Sequence, residues 1–165
     1  MKRILAGVLA LLLAGCDYTV ALVDTPTIRI DGAILGLWER TTPDGETERM
    51  LVLPMNEREV LVAFPAGSEN AMYARTCLWQ GAGMTLAQLD WIGNARGSIP
   101  DDGRSFQYAS YAVKDDEVRI RMLNPDVVSN RISNRDELVK AIGEAAADPD
   151  LFHDERVFRK VPEPE

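Results

Sequence analysis

Val118, Ile120 and Met122 alternate with Arg119 and Arg121. This period of two marks a strand with one face in an apolar interior and the other in water. Short segments of strand character recur before it: Trp38 to Thr41, Met50 to Pro54, Val60 to Phe64, Ala71 to Gln80, Thr85 to Ile92 and Ser105 to Val113. Pro43-Asp44-Gly45 supplies the residues a tight turn requires, Asn56-Glu57-Arg58 and Asp115-Asp116 join later pairs, and Asn94 to Gly103 reads as a loop. Thr27 to Ile30 is long enough for a short first strand.

One stretch follows the helical period instead. Leu138, Val139, Ile142, Ala145 and Ala146 form an apolar stripe, Ser133 with Asp136 three residues on approximates a capping box, and Pro149 stops the run. Arg156 to Val161 returns to strand, and residues 162–165 form a polar tail that is expected to be disordered. Seven or eight strands in hairpin order predict a mainly β domain, an antiparallel meander closing into a barrel, with a C-terminal helix before the last strand. Closure removes the exposed edges that invite aggregation. Trp79, Trp91, Phe106, Tyr108, Tyr111, Met50, Met72 and Met84 are expected to share one interior, with any room left over forming a small apolar pocket.

The N-terminus carries a different signal. Lys2 and Arg3 precede an apolar run from Ile4 to Ala14, then Gly15 and Cys16, the layout of a secretory signal. The run falls short of the roughly 20 apolar residues a spanning helix needs. Leu13-Ala14-Gly15-Cys16 resembles the lipobox of bacterial lipoproteins. That resemblance implies removal of residues 1–15, lipidation of Cys16 and a short tether over residues 16–26 leading into a domain over residues 27–161. Each buried methylene contributes about 0.8 kcal/mol, and two lipid signals already give stable anchoring. Asp17 resembles the signal that retains lipoproteins in the inner membrane of enteric-type bacteria, so the expected location is the cell envelope, facing the periplasm.

Gly36-Leu37-Trp38 at the head of the first main strand resembles the Gly-x-Trp of lipocalins and the wider calycin group. In that group a basic residue near the end of the last strand packs over the tryptophan, and Arg159 in Val157-Phe158-Arg159-Lys160 is the matching candidate. The stretch from Ile34 through the capped helix to Arg159 is also similar to a set of small bacterial lipoproteins. The resemblance implies a calycin-like barrel plugged at one end by Trp38 and Arg159.

Composition narrows the partners. The net charge of the full chain is -8, and losing Lys2 and Arg3 makes it -10. Nucleic-acid binding, which needs a basic patch, is not expected, and neither is adhesion to anionic head groups. With Cys16 taken by lipid, Cys77 is a lone thiol, expected to be buried.

Little in the chain points to catalysis. His153 is the one histidine, expected in a surface loop between helix and last strand, and there is no Gly-x-Ser-x-Gly elbow beside which it would serve a hydrolase. One histidine and one spare cysteine make no zinc set, and Asp101-Asp102, Asp115-Asp116 and Asp154-Glu155 have neither EF-hand spacing nor a phosphate loop nearby. No enzyme activity, metal or cofactor is expected. The reading is a membrane-anchored binding module for a small apolar ligand or an envelope protein. The alternative is a structural or assembly lipoprotein with a filled barrel that acts through its outer surface.

Overall fold

Eight antiparallel strands run up and down in sequence order and close on themselves. The structure is a computed structural model that describes residues 18–98 and 105–162. The strands are β1 (Gly36–Thr41), β2 (Thr47–Asn56), β3 (Glu59–Phe64), β4 (Met72–Gly81), β5 (Met84–Asn94), β6 (Phe106–Lys114), β7 (Glu117–Leu123) and β8 (Phe152–Lys160), with helix α1 (Arg135–Glu144) before the last. β8 closes the ring by pairing Lys160 with Trp38 and Arg159 with Glu39 on β1. Tight hairpins between β2 and β3, β4 and β5, and β6 and β7 form a lower end. The longer connections form an upper rim.

Strand pleating divides the chain into two cores. Residues directly opposite in register share a face, so the pairs Trp38 with Met50, Val52 with Val62, Ala74 with Trp91 and Val118 with Phe158 all point inwards. These residues make one buried cluster inside the barrel. The second cluster lies on the outer wall, where Leu86, Tyr108 and Leu123 are covered by Leu138 and Ile142 of α1, by Val128 and Leu151 of its flanking loops, and by Tyr18 and Leu22. The aromatic and sulfur side chains therefore do not share one interior. Met50, Met72, Trp91 and Tyr111 belong to the barrel, while Trp79, Met84, Phe106 and Tyr108 belong to the outer wall.

The segment ahead of the barrel is not a free tether. Tyr18 is fully buried, bridges backbone to backbone with Phe106, stacks edge-on against Tyr108 at 5.2 Å and donates its hydroxyl to Val128 O at 2.7 Å. Gln88 binds the next turn of chain like a backbone surrogate. Its Oε1 accepts from Leu22 N (2.7 Å) and Val23 N (2.9 Å), and its Nε2 donates to Val23 O (2.9 Å). Tyr108 donates to Val20 O, and Arg135 holds Ala21 O and the Asp24 carboxylate. Residues 18–24 are thus a strap across the outer wall, because that wall is apolar and needs cover. Thr27 to Ile30 forms no strand; it carries the strap down to the lower end, where Ile30 N donates to Glu57 O at 3.0 Å.

Three further boundaries differ from expectation. Asn134, not Ser133, caps α1, its side chain accepting from Glu137 N, since asparagine caps as well as serine does. The helix ends at Glu144, before Pro149 is reached, and Val139 lies exposed beside the buried Leu138 and Ile142. β8 begins at Phe152 rather than Arg156, so His153 is a strand residue opposite Met122, not a loop residue.

Candidate binding site in the barrel mouth

The lower end is plugged. A 3-10 turn (Gly32–Ile34) folds under the barrel, Trp38 Nε1 donates to Ile34 O at 2.8 Å, and Trp38 is fully buried. The cation over its ring is Lys160, with Nζ 5.3 Å from the centroid, and not Arg159. Pairing parity is the reason: Lys160 lies opposite Trp38 on the inner face, while Arg159 lies opposite Glu39 on the outer face. The Arg159 side chain is 79% exposed and reaches Glu117 at 3.6 Å. Gly36 has φ +119°, and a Cβ there would sit 3.2 Å from Lys160 Cε, so the glycine of Gly-x-Trp is what lets the lysine pass.

The upper half of the interior is different in kind. Arg40 and Glu48, opposite each other and inward by the parity of Trp38 and Met50, form an ion pair at 2.6 Å. The Arg40 guanidinium lies 5.5 Å over the Phe158 ring, and Arg156, paired with Asp154 at 2.6 Å, lies 5.5 Å over Phe64. Phe64 and Phe158 meet edge to face at 6.0 Å. Two guanidinium groups and two rings therefore interleave below the rim.

Among the described residues, three buried polar atoms on inward-facing side chains have no hydrogen-bond partner: Arg156 Nε, Trp91 Nε1 and Thr76 Oγ1. Thr76 and Trp91 are diagonal inward neighbours on β4 and β5, Trp91 lying opposite Ala74 and Thr76 opposite Leu89. Leaving such a group unpaired costs about 1–3 kcal/mol, so an arrangement with three of them invites an acceptor from outside. Phe64, Met72, Leu89, Tyr111 and Ile120 are inward by parity yet only partly buried. They pack against the barrel cluster while keeping part of their surface exposed.

Outside the barrel, a cleft of about 220 Å³ runs between the descending strap and the foot of β2, lined by Arg29, Ile30, Leu35, Pro54, Asn56 and Val60. It is half open and smaller than the roughly 300 Å³ at which ligand pockets usually begin. Cys77 is buried on the outer wall, 3.8 Å from Gln88 Nε2, and burial pushes its thiol up to about 11. That makes it unreactive at neutral pH. Among the described residues no group of three or more metal-binding side chains comes together, and no helix is long and apolar enough to cross a membrane. Cys16 and Asp17 lie outside the described residues.

Sequence reasoning missed Arg40, Arg156, Thr76 and Gln88. The first two were detectable, since Trp38-x-Arg40 and Arg156-x-Phe158 put a charge at the same parity as a core aromatic. No protein-family model matches the chain, nor does any curated protein or solved structure in the corresponding searches.

Proposed function

We propose that the protein is a periplasm-facing envelope lipoprotein, anchored through Cys16, whose calycin-like barrel is a non-enzymatic binding module for a small, largely apolar ligand bearing a hydrogen-bond acceptor. The observation that carries this reading is the unpartnered set Arg156 Nε, Trp91 Nε1 and Thr76 Oγ1 beside inward apolar side chains that remain partly exposed. A carboxylate or carbonyl head would accept from the guanidinium or the indole, with its chain lying against Leu89, Tyr111 and Ile120. Asp17 favours the inner membrane where the enteric sorting rule operates.

The test is thermal. The mature chain freed of lipid by starting at Asp17 is melted with a long-chain fatty acid, the matching alcohol or a lysophospholipid. A ligand at about one hundred times its Kd adds about 2.7 kcal/mol, which is several degrees in Tm for a domain of this size. The acid should raise Tm, and Arg156→Gln should remove most of the gain. No shift with any of the three would sink the reading.

The other reading, a filled barrel acting through its outer surface, is favoured by the close packing lower down, where Trp38, Ala74, Val118 and Phe158 are all but completely buried. It would be supported by that negative result together with co-purification of a protein lost on substitution of the exposed Leu53 and Met55.

A further inference from the structure

The strap fixes where any N-terminal anchor must leave the barrel. Tyr18 is fully buried and hydrogen-bonded to Phe106, the first residue of β6 at the upper rim. Two residues of chain, however extended, reach about 7 Å, so Cys16 cannot be farther than that from Tyr18. β6 has 9 residues from Phe106 to its hairpin with β7, and at about 3.3 Å each that part of the lower end is roughly 25 Å away. We propose that the upper rim, with the barrel mouth inside it, faces the lipid bilayer at close range, and that the lower end with its Trp38 plug points away.

This inference rests on the Cys16 anchor proposed above and adds to it a fixed orientation. A flexible tether of ten residues would let the domain tumble, whereas a single residue, Asp17, between Cys16 and the buried Tyr18 restrains it. The strap is secured by Gln88, Tyr108 and Arg135 from three different elements, so it does not peel from one weak point. Charge is not what brings the rim down, because its described loops carry Asp44, Glu46, Glu69, Asp126, Asp148 and Asp150 against Arg96 and Arg131. The partner surface is therefore lipid head groups held near by the covalent anchor rather than an anionic lipid drawn by a basic patch. The mouth would then open towards the phase in which an apolar ligand is stored.

Full-length protein in its own membranes, with Cys77→Ala, is given single cysteines at Asp44 or Glu69 on the rim, or at Arg58 or Asp116 at the lower end. Each carries a polarity-sensitive fluorophore, and quenching by brominated phospholipid incorporated into the membrane is read. The rim positions should be quenched at least several-fold more than the lower ones. Inserting ten Gly-Ser residues between Asp17 and Tyr18 should erase the difference while anchoring persists. Palmitate labelling in the same preparation separates the two ideas. Labelled protein with equal quenching at both ends overturns the orientation alone, whereas unlabelled protein overturns the anchor and the orientation with it.

Discussion

Lys160 Nζ stands 5.3 Å from the centre of the Trp38 ring, while its neighbour Arg159 lies on the other face of the same strand. A cation over an indole contributes about 0.5 to 2 kcal/mol, and an exposed pair such as Arg159 with Glu117 contributes little. Lys160→Ala should therefore lower stability by about 1 kcal/mol in urea unfolding, and Arg159→Ala should change it by less than half of that. Equal effects would assign the plug wrongly.

Gly36 belongs to the same plug. Its φ of +119° is one that side chains rarely adopt, and a Cβ would crowd Lys160 Cε at 3.2 Å. Gly36→Ala is expected to cost about 1 to 3 kcal/mol. Much of the crowding component, but not the backbone component, should be relieved in the double variant with Lys160→Ala, and a double-mutant cycle of unfolding free energies separates the two.

Gln88 is expected to matter more than an amide on a strand usually does. Gln88→Leu keeps the size but leaves Leu22 N, Val23 N and Val23 O without their partner, at about 1–3 kcal/mol for each group that stays buried. Limited proteolysis should then cut within residues 18–24 before any strand is cut. A strap that remains resistant in this variant would show that Tyr18 and Arg135 suffice.

Cys77 gives a prediction in pH. Burial raises its folded pKa to about 11 from an ordinary value of 9.0. Between those values the unfolded chain has lost its thiol proton and the folded chain has kept it, so stability from this group is complete below pH 9 and falls as pH rises towards 11. Cys77→Ala should flatten the decline over that window in thermal melts. In the native protein an alkylating reagent at pH 8 should react only as fast as the barrel opens.

Glu59 works in the opposite direction. Hydrogen bonds from Arg75, at 2.5 Å, and from Asn56 hold its carboxyl below the ordinary 4.5. The unfolded chain takes up the proton first, so this stabilisation is present above about pH 4.5 and is lost as pH falls through the lower folded value. Glu59→Gln should make the acid limb of the stability curve shallower.

The barrel was legible because alternation is a strong signal wherever one face meets water. Val118 to Met122 is the clearest case. The outer layer was harder to see, since the residues that cover it come from an N-terminal segment with no regular period. A trace of it existed nonetheless: Cys77-Leu78-Trp79, Leu86-Ala87 and Tyr108-Ala109 are non-polar on both faces, which is the mark of strands covered on two sides. The same parity places Lys160 with Phe158 inside and Arg159 outside, so the plug could have been assigned correctly from spacing alone. The unpartnered atoms of the interior could not, because what leaves Trp91 Nε1 and Thr76 Oγ1 without partners is the arrangement of strands distant in sequence.

The strap also sets an order of events at birth. Tyr18 and Ala21 emerge among the first residues of the domain, yet the groups that bind them, Val128 O and Arg135, lie 110 and 114 positions later. Loop closure over such a span comes late in folding, so residues 18–24 stay loose while the first strands assemble and are tied to Val128 and Arg135 only after the helix has been made. The strap and the β1–β8 seam, which needs the C-terminal strand, are the last parts to be finished.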